Sequence, residues 1–170
     1  MERTLKVLNQ LERRRVITRY AIGGAIAMLF YSEPVLTYDL DVFFLLPPGP
    51  SALVTLKPIY DWLREKGYPA EKEHILIEGV PVQFIPAYNE LVTEAVEKAA
   101  EIKFKRTKTR VLRVEHLLAI MLQTDRPKDR TRITQILEEA SVDEKALSDI
   151  LERHGLQEKW QAFRKLYYGE

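Results

Sequence analysis

Hydrophobic residues recur along this chain with two different spacings, and the places where the spacing changes mark its elements. Leu5, Leu8 and Leu11 repeat at helical spacing, and Arg13, Arg14 and Arg15 close that helix where its dipole favours cations. Residues 20–22 read as a short strand and residues 25–31 as a short apolar helix. A strand over residues 37–46 stops at Pro47-Pro48-Gly49-Pro50, a strong loop signal. A helix follows to about Lys66, with Gly67 as its stop. Residues 74–77 and 80–85 form two strands joined by the two-residue turn Glu78-Gly79. Registering that hairpin opposes Ile77 to Val80, Leu76 to Pro81, Ile75 to Val82 and His74 to Gln83. Asn89 caps a helix through about Ala99, and residues 102–106 and 110–112 are extended.

The order βαβαββαβ with one mostly buried sheet predicts an α/β (α+β) core ending near residue 112. The remainder, 113–170, is predicted to be a helical segment packed on that core. Residues 115–123 carry Leu117, Leu118, Ile120, Met121 and Leu122, and Pro127 opens a helix containing Ile133, Ile136 and Leu137. Ser141-Val142-Asp143-Glu144 has the form of a capping box, opening a helix that ends near Gly155. A last amphipathic stretch holds Leu156, Trp160, Phe163 and Leu166.

Composition narrows the class. At 170 residues with 46% hydrophobic and 30% charged, the chain can bury a core under a soluble surface. A net charge of +1 gives no ground for nucleic-acid binding from total charge. The absence of cysteine excludes disulfides and thiolate metal sites and fits a reducing compartment. With no apolar run of membrane-spanning length, a cytoplasmic location and no membrane partner are expected.

The candidate chemistry lies in Gly23-Gly24 and in Asp39-Leu40-Asp41 on the next strand. Side chains two apart on a strand share a face, so Asp39 and Asp41 project together and Leu40 and Val42 point away. Burying such a pair is costly, and a hard divalent cation removes the penalty. Two solvated acids on an exposed face are the alternative, but flanking residues as apolar as Phe43 and Phe44 argue for a ligand.

With these motifs and the later hairpin, the chain resembles the polymerase-β-like nucleotidyltransferase superfamily. Within it, the likeness is to the AbiEii-like abortive-infection group. The resemblance spans most of residues 15–135, including Val111-Leu112-Arg113-Val114-Glu115-His116 and Arg126-Pro127-Lys128-Asp129-Arg130. It implies a small mixed-sheet core followed by C-terminal helices. It also implies that Gly23 and Gly24 hold the triphosphate of an NTP and that Asp39 and Asp41 bind Mg2+ or Mn2+. The reaction implied moves NMP to a hydroxyl on RNA, protein or a small molecule.

The sequence departs from that pattern in three places. Gln83 stands where a third carboxylate is usual, and an amide cannot act as a base. The first C-terminal helix has Ile120-Met121-Leu122 where a lysine is usual, and Met121 reads as core packing. The Lys-Asp-x-x-Asp pattern survives as Lys128-Asp129, with Arg132 in place of the second acid. Lys128 is either a triphosphate contact or a solvated residue at a helix start. His74 is a base or ligand if its face carries the aspartates, and otherwise a half-exposed strand histidine. Lys103, Lys105, Arg106, Lys108 and Arg110 suit an anionic substrate or a charged sheet edge equally well. Tyr31, Tyr38 and Tyr88 can stack on a base or serve as core. The alternative function is a catalytically degenerate binding or regulatory protein of toxin–antitoxin type, whose partner is a cognate antitoxin or a second copy.

Overall fold

The structure is a computed structural model that describes residues 1–32, 39–49 and 56–170. Thr37 and Tyr38 of the strand predicted over 37–46, and Pro50 of the loop after it, lie outside the described residues. The elements run α1 (Glu2–Arg13), β1 (Arg19–Ile22), α2 (Gly24–Met28), β2 (Leu40–Leu45), α3 (Lys57–Glu65), β3 (Ala70–Glu71), β4 (His74–Ile77) and β5 (Val80–Pro86). They continue through α4 (Glu90–Glu97), β6 (Ala100–Phe104), β7 (Thr107–Val111), α5 (Val114–Thr124), α6 (Pro127–Glu139), α7 (Glu144–Arg153) and α8 (Gln157–Tyr168).

The strands form one mixed sheet in the order β3-β4-β5-β2-β1-β7-β6. Central β2 pairs antiparallel with β1 and parallel with β5, and β1 runs parallel to β7. The fold class is thus the mixed α/β one expected. The β4–β5 hairpin has the predicted turn. Glu78 and Gly79 have φ of +51° and +80°, both positive as a type I′ turn requires. Ile75, Leu76 and Ile77 oppose Val82, Pro81 and Val80 as predicted, and on the other side of β4 His74 lies opposite Glu71 of β3.

Three local readings need correction. The two-residue strand β3 was not predicted, because both its residues are exposed and carry no apolar pattern. Residues 107–109 are not a gap between extended stretches. The chain turns at Lys105, with φ of +53°, so Thr107 and Thr109 enter β7 and are buried. Helix α7 is capped by Asp143 rather than Ser141, through a 3.0 Å bond from the Ala146 N–H. The Asp143 N–H is taken by Glu115 of α5 at 2.9 Å, so a distant acid does what the box assigns to a local one.

The two faces of the sheet differ in content. One face carries Leu40, Val42, Phe44, Val82 and Phe84, all buried. Helix α1 packs against β1 and β7, where fully buried Tyr20 bonds through its hydroxyl to Asn9 at 2.8 Å and Thr109 at 2.9 Å. The other face carries Asp41 and Phe43 and is covered by α4, against which α5 packs. Helix α5 is apolar nearly all round, with Leu117 to Leu122 buried, and α6, α7 and α8 pack on it. Of the basic run, Lys103 lies on edge strand β6, and Arg110 is pinned to Glu12 at 2.6 Å. Among the described residues no helix is long and apolar enough to cross a membrane.

Candidate active site

The site begins where β1 ends. The Gly23 N–H bonds to the Asp41 carbonyl at 3.0 Å, tying the glycine turn to β2. Gly24 has φ of +58°, and a Cβ there would overlap the Asp41 carboxylate. A Cβ on Gly23 would overlap the Phe43 ring. Both glycines are therefore required for the backbone to close over β2. The closure packs Asp41 against the main chain and starts α2 immediately after it.

Strand parity does the rest on the sheet side. Asp39, Asp41 and Phe43 line a cavity of about 300 Å³, while Leu40 and Val42 are buried on the opposite face. Across the parallel pair, Asp41 lies opposite Gln83, which lines the same cavity. Burial first, and the neighbouring Asp39 second, raise the Asp41 carboxyl above its ordinary range, while Arg132, Lys128 and Arg126 pull it back.

Of those three cations, Arg126 comes from the turn between α5 and α6, and Lys128 and Arg132 from the first two turns of α6. Asp125 ends α5 in the left-handed region at φ of +51°, and Pro127 holds Arg126 extended as the cap of α6. Asp129, in the first turn, is fully buried. It accepts from Arg126 Nε at 2.6 Å and Nη2 at 3.1 Å and from the Thr124 hydroxyl at 2.9 Å, and Arg132 approaches to 3.9 Å. Arg126, Lys128 and Arg132 then line the cavity facing the aspartates, with Ile120, Met121 and Thr124 of α5 between.

Of the residues singled out in the sequence, Gly24, Asp39, Asp41, Gln83 and Lys128 thus meet at one cavity. Gly23 stands behind it. His74 is outside the lining but close, its Nε2 3.2 Å from Asp39 Oδ2, at ion-pair distance though off the line of a hydrogen bond. Met121 packs in the core as expected and also borders the cavity. Sequence reasoning missed Arg126 as a member and took Arg132 only as a lost acid. The available signal was the Arg-Pro-Lys-Asp spacing, which fixes a cap and places an acid three residues on. Among the described residues no three His, Asp or Glu side chains are grouped to hold a metal ion.

No protein-family model matches the chain, and no curated protein matches it in sequence. Among solved structures it is similar to an antigenic nucleotidyltransferase-like protein from Paracoccidioides brasiliensis. The TM-score is 0.56 at 13% identity, covering 99% of this chain and 97% of that one. It is also similar to the antibiotic-resistance factor ANT(2'')-Ia, with a TM-score of 0.50 at 14% identity over 100% of both chains. At such identities the likeness is one of fold, and it agrees with the sheet order and helices described above: the chain has a nucleotidyltransferase-like fold.

Proposed function

We propose that this protein is a metal-dependent nucleotidyltransferase of the polymerase-β-like superfamily, within its AbiEii-like group, moving NMP from an NTP to a hydroxyl acceptor. The observation that carries this reading is the opposition, in one cavity, of Asp39 and Asp41 to Arg126, Lys128 and Arg132. Paired carboxylates beside a cationic wall suit a cation and a phosphate chain together.

The donor set fits magnesium, which binds through one or two carboxylates and completes its shell with water and substrate phosphates. Asp39 and Asp41 would hold it, with the Gln83 carbonyl as a neutral neighbour. When bound it would offset the charge of the attacking and leaving oxygens. In the reaction the acceptor oxygen bonds to the α-phosphorus and the bond to the β-phosphate oxygen breaks. Pyrophosphate leaves, and the hydroxyl proton passes to a base. Gln83 cannot take it, so His74 beside Asp39 is our candidate. Gly24 lets the main chain approach the phosphates, and Arg126, Lys128 and Arg132 balance their charge.

A second reading is favoured by one specific observation, the neutral Gln83 beside Asp41. It makes the protein a nucleotide-binding regulator without turnover, with a toxin–antitoxin-type partner or a second copy as its target. Thermal melts with NTP and Mg2+ or Mn2+ test the shared premise. At about a hundred times its dissociation constant a ligand adds ~2.7 kcal/mol, a Tm rise of roughly 5–10 °C for a chain of this length. We expect that rise in the wild type and its loss in Asp39→Asn. A rise indifferent to Asp39→Asn would sink the transferase reading, and none with any nucleotide would sink both. Pyrophosphate release in the presence of acceptor candidates then separates transferase from regulator.

A further inference from the structure

Far from the cavity, the β6–β7 hairpin carries a charge arrangement that the single chain leaves unresolved. Its register sets Lys103 opposite Lys108 and Glu101 opposite Arg110. Like charges directly opposite weaken a strand pair, and neither lysine forms an ion pair with a described residue. On the other side of β6 no described strand follows, so this edge of the sheet is open. The main chain faces that edge at two places. The Lys108 carbonyl accepts a bond from the Asn9 side chain at 2.9 Å and so points away from β6. Lys103 opposite it therefore directs its N–H and C=O outward, and by the two-residue alternation Glu101 does the same. Ile102 between them is half-buried and packs on the core, as does Phe104. Edge strands are commonly guarded by lysine alone. Here the exposed positions alternate acid and base about Ile102, which makes the edge complementary to itself.

We propose that β6 pairs antiparallel with β6 of a second copy about a two-fold axis at Ile102, joining the two sheets into one. Glu101 then lies opposite Lys103 of the second copy, and Lys103 opposite Glu101 of the second copy. Each of these pairs exchanges both main-chain bonds through the groups that already point outward. Ile102 meets its counterpart at the close position without hydrogen bonds, and Phe104 reaches Ala100. The pairing gives Lys103 the acid that β7 withholds. Centring it on Glu101 or on Lys103 would set like charges face to face and shorten the five-residue ladder, so charge fixes the register. The cavity lies at β2 and β5, with β1 and β7 between it and β6, and the pairing leaves it open. The inference stands whatever that cavity binds.

Sedimentation velocity on the full chain tests the pairing. One strand on one strand is a small interface, so the chain is taken up to about 200 μM at low salt. We expect the mass to rise with concentration from 19.8 kDa towards twice that value. Lys103→Glu sets acid against acid at both pairs and should weaken association about tenfold or more. Glu101→Lys should do the same with lysines. Mixed in equal amounts, the two variants should dimerise with each other, because every pair is again opposite in sign. The double variant Glu101→Lys with Lys103→Glu should dimerise with itself for the same reason. Lys103→Glu is the safer substitution, since it also turns the Lys103–Lys108 pair into an attractive one, and melts of each variant confirm folding. A wild type that stays monomeric over this range overturns the proposal. A dimer indifferent to both single substitutions overturns it too, because that dimer forms through another face. Association lost in the single variants and restored neither by mixing nor by the double exchange overturns the register.

Discussion

Two charge clusters lie on the helices of this protein, and they are built by opposite rules. Around Glu94 of α4, one carboxylate receives Lys98 at 2.9 Å, Arg153 at 2.7 Å and His154 at 2.7 Å, with buried His116 at 3.5 Å. Burial works against the Glu94 charge, but the bonds from His154, Lys98 and Arg153 outweigh it and bring the carboxyl down to about 2. In the cavity, Asp41 is driven the other way, by burial and by Asp39. In the first cluster, which joins α4, α5 and α7, the carboxylate is bonded directly by three side chains. The second sets acid beside acid, with Lys128 forming no ion pair with any described residue. Mismatch is the feature that a ligand can resolve, and it is where function is to be sought.

The largest expected effect breaks the matched cluster. Glu94→Ala would leave Lys98, at the end of α4, facing Arg153 and His154, at the end of α7. Its carboxylate is only 14% exposed, so the loss should be about 2 kcal/mol, a Tm fall of roughly 4–8 °C. Nucleotide binding, read by calorimetry, should be unchanged. A Tm within 1 °C of wild type, about a quarter of a kcal/mol, would mean the cluster is ornamental.

The comparison also explains what could be read from the chain. Asp41 in β2 and Asp39 just before it share a face by the two-residue alternation of extended chain, and the hairpin follows from a two-residue turn with Gly79. Those are local rules. Gly24 is legible as a turn, but its reason, the Asp41 carboxylate pressed against it, is a contact between elements. Arg126 and Arg132 reach the cavity only because Asp129 is buried beneath them, and no periodicity announces a buried aspartate. Glu94, His116 and His154 are equally opaque, being up to 60 residues apart in sequence. Thr107 and Thr109 look like loop residues until Tyr20 provides a hydroxyl partner for Thr109. Local chemistry was legible; the cationic half of the site was not, because it is assembled by tertiary contacts.

A second, smaller effect is read with pH. Burial lowers His116 below its ordinary 6.5, with Glu94 opposing, so the folded state prefers the neutral ring. Its contribution is fully present above about pH 6.5 and is lost as pH falls below that value. Glu94 acts in the same direction lower down. Its contribution is complete above 4.5 and disappears as pH falls towards about 2. Lys98 and Glu94 on α4, Glu115 on α5, and Arg153 and His154 on α7 face this group and set the total. Urea unfolding between pH 8 and pH 3 should therefore show stability falling in two steps. His116→Gln should flatten the upper one; an upper step that survives this substitution assigns the titration elsewhere.

The smallest effect has the opposite sign and sharpens the contrast most. The Asp41 carboxyl is raised, so its charge is a cost to the folded state above its folded pKa, relieved as pH falls towards 3.8. Asp41→Asn removes that cost while keeping the shape. In the absence of ligand it should raise stability by ~0.5–1 kcal/mol, or about 1–4 °C in Tm, and the gain should vanish at low pH. The same variant should lose the Mg-dependent shift given by NTP. Stabilisation without ligand and loss with it, in one substitution, is what a site held in tension for its ligand must show. A destabilised Asp41→Asn would place Asp41 with Glu94, as a structural acid whose neighbours already satisfy it.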